Sequence, residues 1–132
     1  MAELSYPLAA TGREAVRTAS GRTVAEITLD EVTSGRVGAE DVAVAPETLL
    51  LQADFAEAGG NPQLAENLRR GAELTAFSDD ELLRFYEMLR PGRSSADELD
   101  SLAATLEGRG AARCGTMVRE ARAAYMRRGL IA

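Results

Sequence analysis

Any chemistry in this chain falls to carboxylates, arginines and one thiol, because its 132 residues contain neither histidine nor lysine. That removes imidazole acid/base catalysis, lysine Schiff bases and ordinary Cys/His zinc sites. The 21 acidic residues retain the chemistry for glycosidase-type work or cation binding. They are scattered, however, with no DxDxDG-like loop and no Gly-rich phosphate loop. The densest run, Asp79-Asp80-Glu81, occupies consecutive positions that point in different directions on a helix, so helix capping accounts for it better than a cation does. Cys114 falls on an apolar helix side among Met117, Val118 and Ala121, where burial suppresses the reactivity of a thiol. This inventory points away from an autonomous enzyme.

The formal charge is -6, yet from Arg109 onward six arginines face only Glu120. On a helical wheel Arg113, Arg119, Arg122, Arg127 and Arg128 spread over several sides, which is poor geometry for following a phosphate backbone. Nucleic acid is therefore not an expected partner, and solvated arginines that complement a helix C-terminus are the plainer reading. No apolar run approaches the roughly 18 residues of a membrane span. With no signal-peptide pattern and a lone cysteine, the expectation is a soluble cytoplasmic protein without a membrane partner.

The elements that position these side chains read as helices. Hydrophobic residues make up 45% of the chain but aromatics only 5%, so Leu, Val and Ala must do most of the packing, which suits helices better than sheets. The expected fold is all-α, an open irregular helical bundle over residues 26–132 behind an extended N-terminal arm over residues 1–25, where large apolar groups are few. Thr28 and Glu31 read as a capping box for a short helix closed by Gly35. Pro46 suits the first position of a helix reaching Ala58, with Leu49, Leu50, Ala53 and Ala56 on its apolar side. Asn61 and Pro62 open the next, with Leu64, Leu68, Ala72 and Thr75 as its apolar row. Ser78/Glu81 and Ser95/Glu98 are further capping boxes; the first helix is stopped by Pro91-Gly92, and the second carries Leu99, Leu102 and Leu106. A last helix from Ala111 to Arg128 groups Cys114, Val118, Ala121 and Tyr125 before Gly129.

Two clusters suit protein contacts. Phe85, Tyr86, Met88, Leu89, Arg90 and Arg93 include more bulky groups than one face of a short helix needs, and Tyr and Arg are frequent interface anchors. The competing reading makes Phe85 and Leu89 core, leaves Tyr86 half-exposed and pairs the arginines with neighbouring acids. Tyr6-Pro7-Leu8 is the sticky part of the arm, suited either to a neighbouring surface or to folding back on its own domain.

A resemblance runs through the whole chain. YPL at Tyr6 to Leu8, TLDEV at Thr28 to Val32, APETLLLQA at Ala45 to Ala53, QLAENLRRGAELTA at Gln63 to Ala76, LRPGRS at Leu89 to Ser94 and MVREA at Met117 to Ala121 resemble, in order, the small subunits of adenosylcobalamin-dependent diol/glycerol dehydratases. The resemblance implies a dimer of heterotrimers with large and medium subunits, in which the large subunit carries the active site. It implies adenosylcobalamin in the holoenzyme, held between the large and medium subunits and not by this chain. The chain departs from the family at Gly92, where a tyrosine is frequent, at Phe77-Ser78 in place of Val-Pro, at Ala45 in place of a Thr cap, and in its arginine-rich end. The expectation is a non-catalytic subunit, inactive alone, that binds and stabilises the large subunit through Tyr6, Pro7, Phe85, Tyr86, Arg90 and Arg93. Substrate preference between propane-1,2-diol and glycerol, and residence in a bacterial microcompartment, are not readable from these residues. The rival reading is a stand-alone helical adaptor; a small carboxylate-dependent enzyme is a third, and it predicts turnover by the isolated chain.

Overall fold

Local caps decide where most of the helices begin. In the computed structural model, which describes residues 4–131, Pro46 opens α4 (Pro46–Ala58) and Pro62 opens α5 (Pro62–Leu74). The Ser78 and Ser95 hydroxyls accept from the amides of Glu81 and Glu98 at the starts of α6 (Asp79–Leu89) and α7 (Ala96–Gly108), satisfying donors that a helix start leaves orphaned. These follow three one-turn or slightly longer helices, α1 (Leu8–Thr11), α2 (Leu29–Thr33) and α3 (Ala39–Val42), and precede α8 (Ala112–Arg127). Among the described residues there is no strand, only the isolated bridges Arg17/Thr23 and Thr18/Val44. The fold is all-α.

The chain divides into two units, one ending at Ala72 and the other beginning at Glu73. In the N-terminal unit α4 and α5 approach through small groups: Ala53 and Ala65 are fully buried, and a Cβ on Gly71 would stand 3.8 Å from Leu49 Cδ1. Arg69 of α5 reaches Asp54 at 3.2 Å and also pairs with Glu57. The expected row on α5 is therefore shifted: Ala65 and Ala72 are buried, while Leu64 is 46% exposed. A short connection with Gly60 at φ +82° brings the helices close enough to favour an alanine seam over a leucine one.

Within the segment expected to be an arm, the structure describes residues 4–25; residues 1–3 lie outside it. Leu8 is buried. The Thr18 amide donates to the Arg22 carbonyl at 2.9 Å, and the Ala19 amide to the Ala43 carbonyl at 3.0 Å. Asp41 of α3 gathers the Ser20 hydroxyl at 2.8 Å, the Arg22 Nε at 3.0 Å and the Gly38 amide at 2.9 Å. These donors hold its carboxyl below the usual carboxylate range, the Gly38 amide contributing most.

The C-terminal unit contains a continuous apolar core. Leu99, Leu102, Ala103 and Leu106 of α7 meet Ala111, Cys114 and Val118 of α8, with Phe77 and Phe85 completing the cluster. Gly115 permits the close α7–α8 approach, since a Cβ there would lie 3.1 Å from the Ala103 carbonyl oxygen and 2.6 Å from Glu107 Cγ. Helix α8 has no cap of its own at Ala111. Glu73 supplies one from a distance: its carboxylate accepts from the Arg113 amide at 3.0 Å and the Cys114 amide at 2.9 Å, complementing the positive helix end.

Candidate interaction surfaces

The Ser78/Glu81 capping box fixes where α6 starts and hence which of its residues turn inward. Phe85 points into the unit, is only 6% exposed and meets Phe77 edge-to-face at a centroid separation of 5.4 Å. Its ring is packed in its own core, as the competing reading has it: the phenyl sits on the same side of α6 as Leu82 and Leu89, and that side is covered. Tyr86 and Leu83, three residues apart, flank that side and turn progressively away from it, and each is 67% exposed. Arg90 and Arg93 follow at the end of the helix, where both pair with one carboxylate: Arg90 Nη1 lies 3.0 Å and Arg93 Nε 3.3 Å from Glu87. The structure thus brings Tyr86, Arg90 and Arg93 to one edge of the C-terminal unit.

Tyr6 and Pro7 belong to the N-terminal unit. Tyr6 is 79% exposed, with its ring tilted against Phe55 at 6.4 Å, and with Pro7 it borders an apolar groove that also includes Leu64 and Leu68. The half-exposed Leu64 lies in this groove. The groove is lined by apolar groups, with the tyrosine hydroxyl as its polar end.

The remaining polar groups are used for architecture. Arg109 stacks its guanidinium 4.1 Å from the Phe77 ring centroid, donates to the Ala76 carbonyl at 3.1 Å and pairs with Glu81. The Arg109 hydrogen bond, followed by the Ser78 amide, lowers the Glu81 carboxyl to about 2, so Glu81 is ionised at neutral pH and holds no proton to transfer. Cys114 is 1% exposed in the core. Among the described residues no three His, Cys, Asp or Glu side chains cluster as a metal site, and no helix is long and apolar enough to cross a membrane.

The exposure of Leu83 was the hardest feature of α6 to read from sequence, because its neighbour Leu82 fits the inward row; its signal was the three-residue spacing to Tyr86. Glu73 gave no signal at all, since the amides it caps lie 40 and 41 residues away.

Sequence comparisons name the class of the chain. Residues 1–132 match the family described as dehydratase small subunit. The chain is 48% identical over 124 residues to the propanediol dehydratase small subunit of Citrobacter freundii and 46% identical over the same length to that of Salmonella typhimurium, covering 93% of this chain and 72% of each relative. The chain belongs to the dehydratase small-subunit family.

Proposed function

We propose that the chain is the non-catalytic small subunit of a propane-1,2-diol dehydratase that uses adenosylcobalamin, and that it binds and stabilises a large catalytic subunit in a complex with a medium subunit, arranged as a dimer of heterotrimers. The observation that carries this reading is the near-half identity to two proteins named as propanediol dehydratase small subunits. Glycerol is the alternative substrate, and a microcompartment the alternative setting to free cytoplasm. The interface residues are Tyr6, Pro7, Phe85, Tyr86, Arg90 and Arg93, of which Phe85, only 6% exposed, acts chiefly by holding α6 in place.

Adenosylcobalamin supplies the radical chemistry of such an assembly when bound there. In this reading the cofactor belongs to the holoenzyme, between the large and medium subunits, and is not held by this chain. The chain's contribution is mass action: a partner that binds only the folded state stabilises it by RT ln(1 + [L]/Kd), roughly 2.7 kcal/mol at a hundredfold excess over Kd.

Co-expression with the larger subunits tests this. The expected result is co-elution of all three chains, diol-dependent aldehyde formation on adding adenosylcobalamin, and rapid loss of activity on storage or heating when the small chain is omitted. An equally stable and active complex without it, or turnover by the isolated chain, overturns the reading.

A further inference from the structure

Most arginines in this acid-rich chain have a carboxylate within reach: Arg22 with Asp41, Arg36 with Glu31, Arg69 with Asp54 and Arg109 with Glu81 are examples. One end of the C-terminal unit departs from that pattern. The Tyr125 hydroxyl donates to the Leu89 carbonyl at 2.6 Å, the Leu130 amide turns back to the Tyr125 carbonyl at 2.9 Å, and a Cβ on Gly92 would be 4.0 Å from the Leu130 carbonyl oxygen. The end of α8 is thereby fastened beside the end of α6.

This brings residues 86–93 and 125–131 to one place, and together they contain four arginines and a single acid, Glu87. Arg90 and Arg93 already share that acid. Arg127 and Arg128 are exposed and make no ion pair with any other described residue; one turn back on α8 stand only Ala123, Ala124 and Tyr125. Three positive charges are left over in a chain whose net charge is -6. On the preceding turns of α6 stand Leu83 and Tyr86, seven and four residues before Arg90 and each 67% exposed. An apolar stripe flanked by unmatched guanidinium groups is complementary to a carboxylate-bearing surface with an apolar notch, and arginine suits that role through its planar fork of donors.

Resting on the reading of the chain as a dehydratase small subunit, we propose that this end docks on an acidic patch of the large dehydratase subunit, with Tyr86 and Leu83 seated in its apolar notch and Arg127 and Arg128 pairing with its carboxylates. The partner is a protein and not a polyanion: the stripe is half apolar, and the chain as a whole repels phosphate backbones.

The test immobilises the co-purified larger subunits and measures association of the full-length chain at 50 and 500 mM salt. The wild-type chain is expected to lose at least tenfold in affinity at high salt, chiefly through slower association. R127E/R128E is expected to bind at least tenfold more weakly at low salt and to lose most of that salt dependence, with an unchanged circular dichroism spectrum because both side chains are exposed and neither forms an ion pair with another described residue. R13E, an equally exposed arginine of the N-terminal unit, is the control and should bind as wild type. Wild-type affinity and salt dependence in R127E/R128E overturn the docking proposal while leaving the subunit assignment intact; failure of the wild-type chain to bind at all overturns both. A short duplex DNA run in parallel is expected not to bind. Duplex binding lost in R127E/R128E, with subunit binding unaffected, also overturns the proposal.

Discussion

The two units are held by different means. In the C-terminal unit the largest fully buried side chains are Leu99, Val118 and Cys114; in the N-terminal unit the fully buried apolar residues are Ala53 and Ala65, and polar ties at Asp41 and Arg69 carry much of the organisation. Charge follows the same division. Up to Ala72 there are eleven acids and six arginines, a net charge of -5; from Glu73 there are ten and nine, a net charge of -1. A unit with an apolar core keeps its shape chiefly by excluding water, and its ion pairs, such as Arg109 with Glu81, Arg119 with Glu107 and Arg122 with Asp100, lie around that core. A unit with an alanine seam must use its charged groups to hold its own loops.

The largest effect that would break this contrast is at Leu99. Leu99→Ala empties a site that is 0% exposed at the centre of the apolar cluster, and buried Leu→Ala changes cost about 2–5 kcal/mol. Urea denaturation followed by circular dichroism should show the midpoint falling accordingly. A loss below about 0.5 kcal/mol, the range of ordinary surface substitutions, would mean that the cluster is not what holds this unit.

A smaller and more local effect is expected at Asp41. Asp41→Ala removes the acceptor of three donors, Ser20, Arg22 and Gly38, and leaves no buried cavity. Amide hydrogen exchange should speed up severalfold at Gly38 and Ala19, while amides of α7 and α8 keep their protection. Unchanged exchange at Gly38 would show that polar ties are ornament in the N-terminal unit too, and the contrast would fail from the other side.

How far the sequence revealed these features depended on the reach of the interaction. The starts of α4, α6 and α7 were legible because Pro46, Ser78/Glu81 and Ser95/Glu98 act within four residues. The Thr28/Glu31 box was half right: Thr28 accepts from the Glu31 amide at 3.2 Å, but the Glu31 carboxylate turns to Arg36. Asp41 with Arg22, and Glu73 with the start of α8, join positions 19 to 41 apart, and no local pattern encodes such pairs. Phe85 and Tyr86 show the same limit at the surface. Adjacent aromatics on a helix read as one cluster until the packing of Phe77 decides which of them is covered.

The smallest and most selective effect lies in acid titration of the C-terminal unit. Glu81 has its folded-state pKa lowered to about 2 from an ordinary 4.5, first by the Arg109 hydrogen bond and then by the Ser78 amide. A carboxyl lowered on folding contributes stability that is fully present above its unfolded pKa and is lost as pH falls through the folded one. The window for Glu81 therefore runs from about 4.5 down to about 2. Glu107, lowered by Arg119, titrates on the same acidic side, so removing Glu81 should flatten the acid limb without abolishing it. Glu81→Gln is the selective variant, because glutamine still serves at the third position of a capping box and keeps an oxygen for Arg109, while losing the proton equilibrium. It should be slightly less stable than wild type at pH 7, with the gap closing as the pH is lowered to about 2, as read from thermal melts across the range. Parallel losses with a constant gap would show that the Arg109–Glu81 pair is solvated and contributes nothing specific. The apolar cluster alone would then account for the C-terminal unit, and the contrast with the polar N-terminal unit would be sharper still.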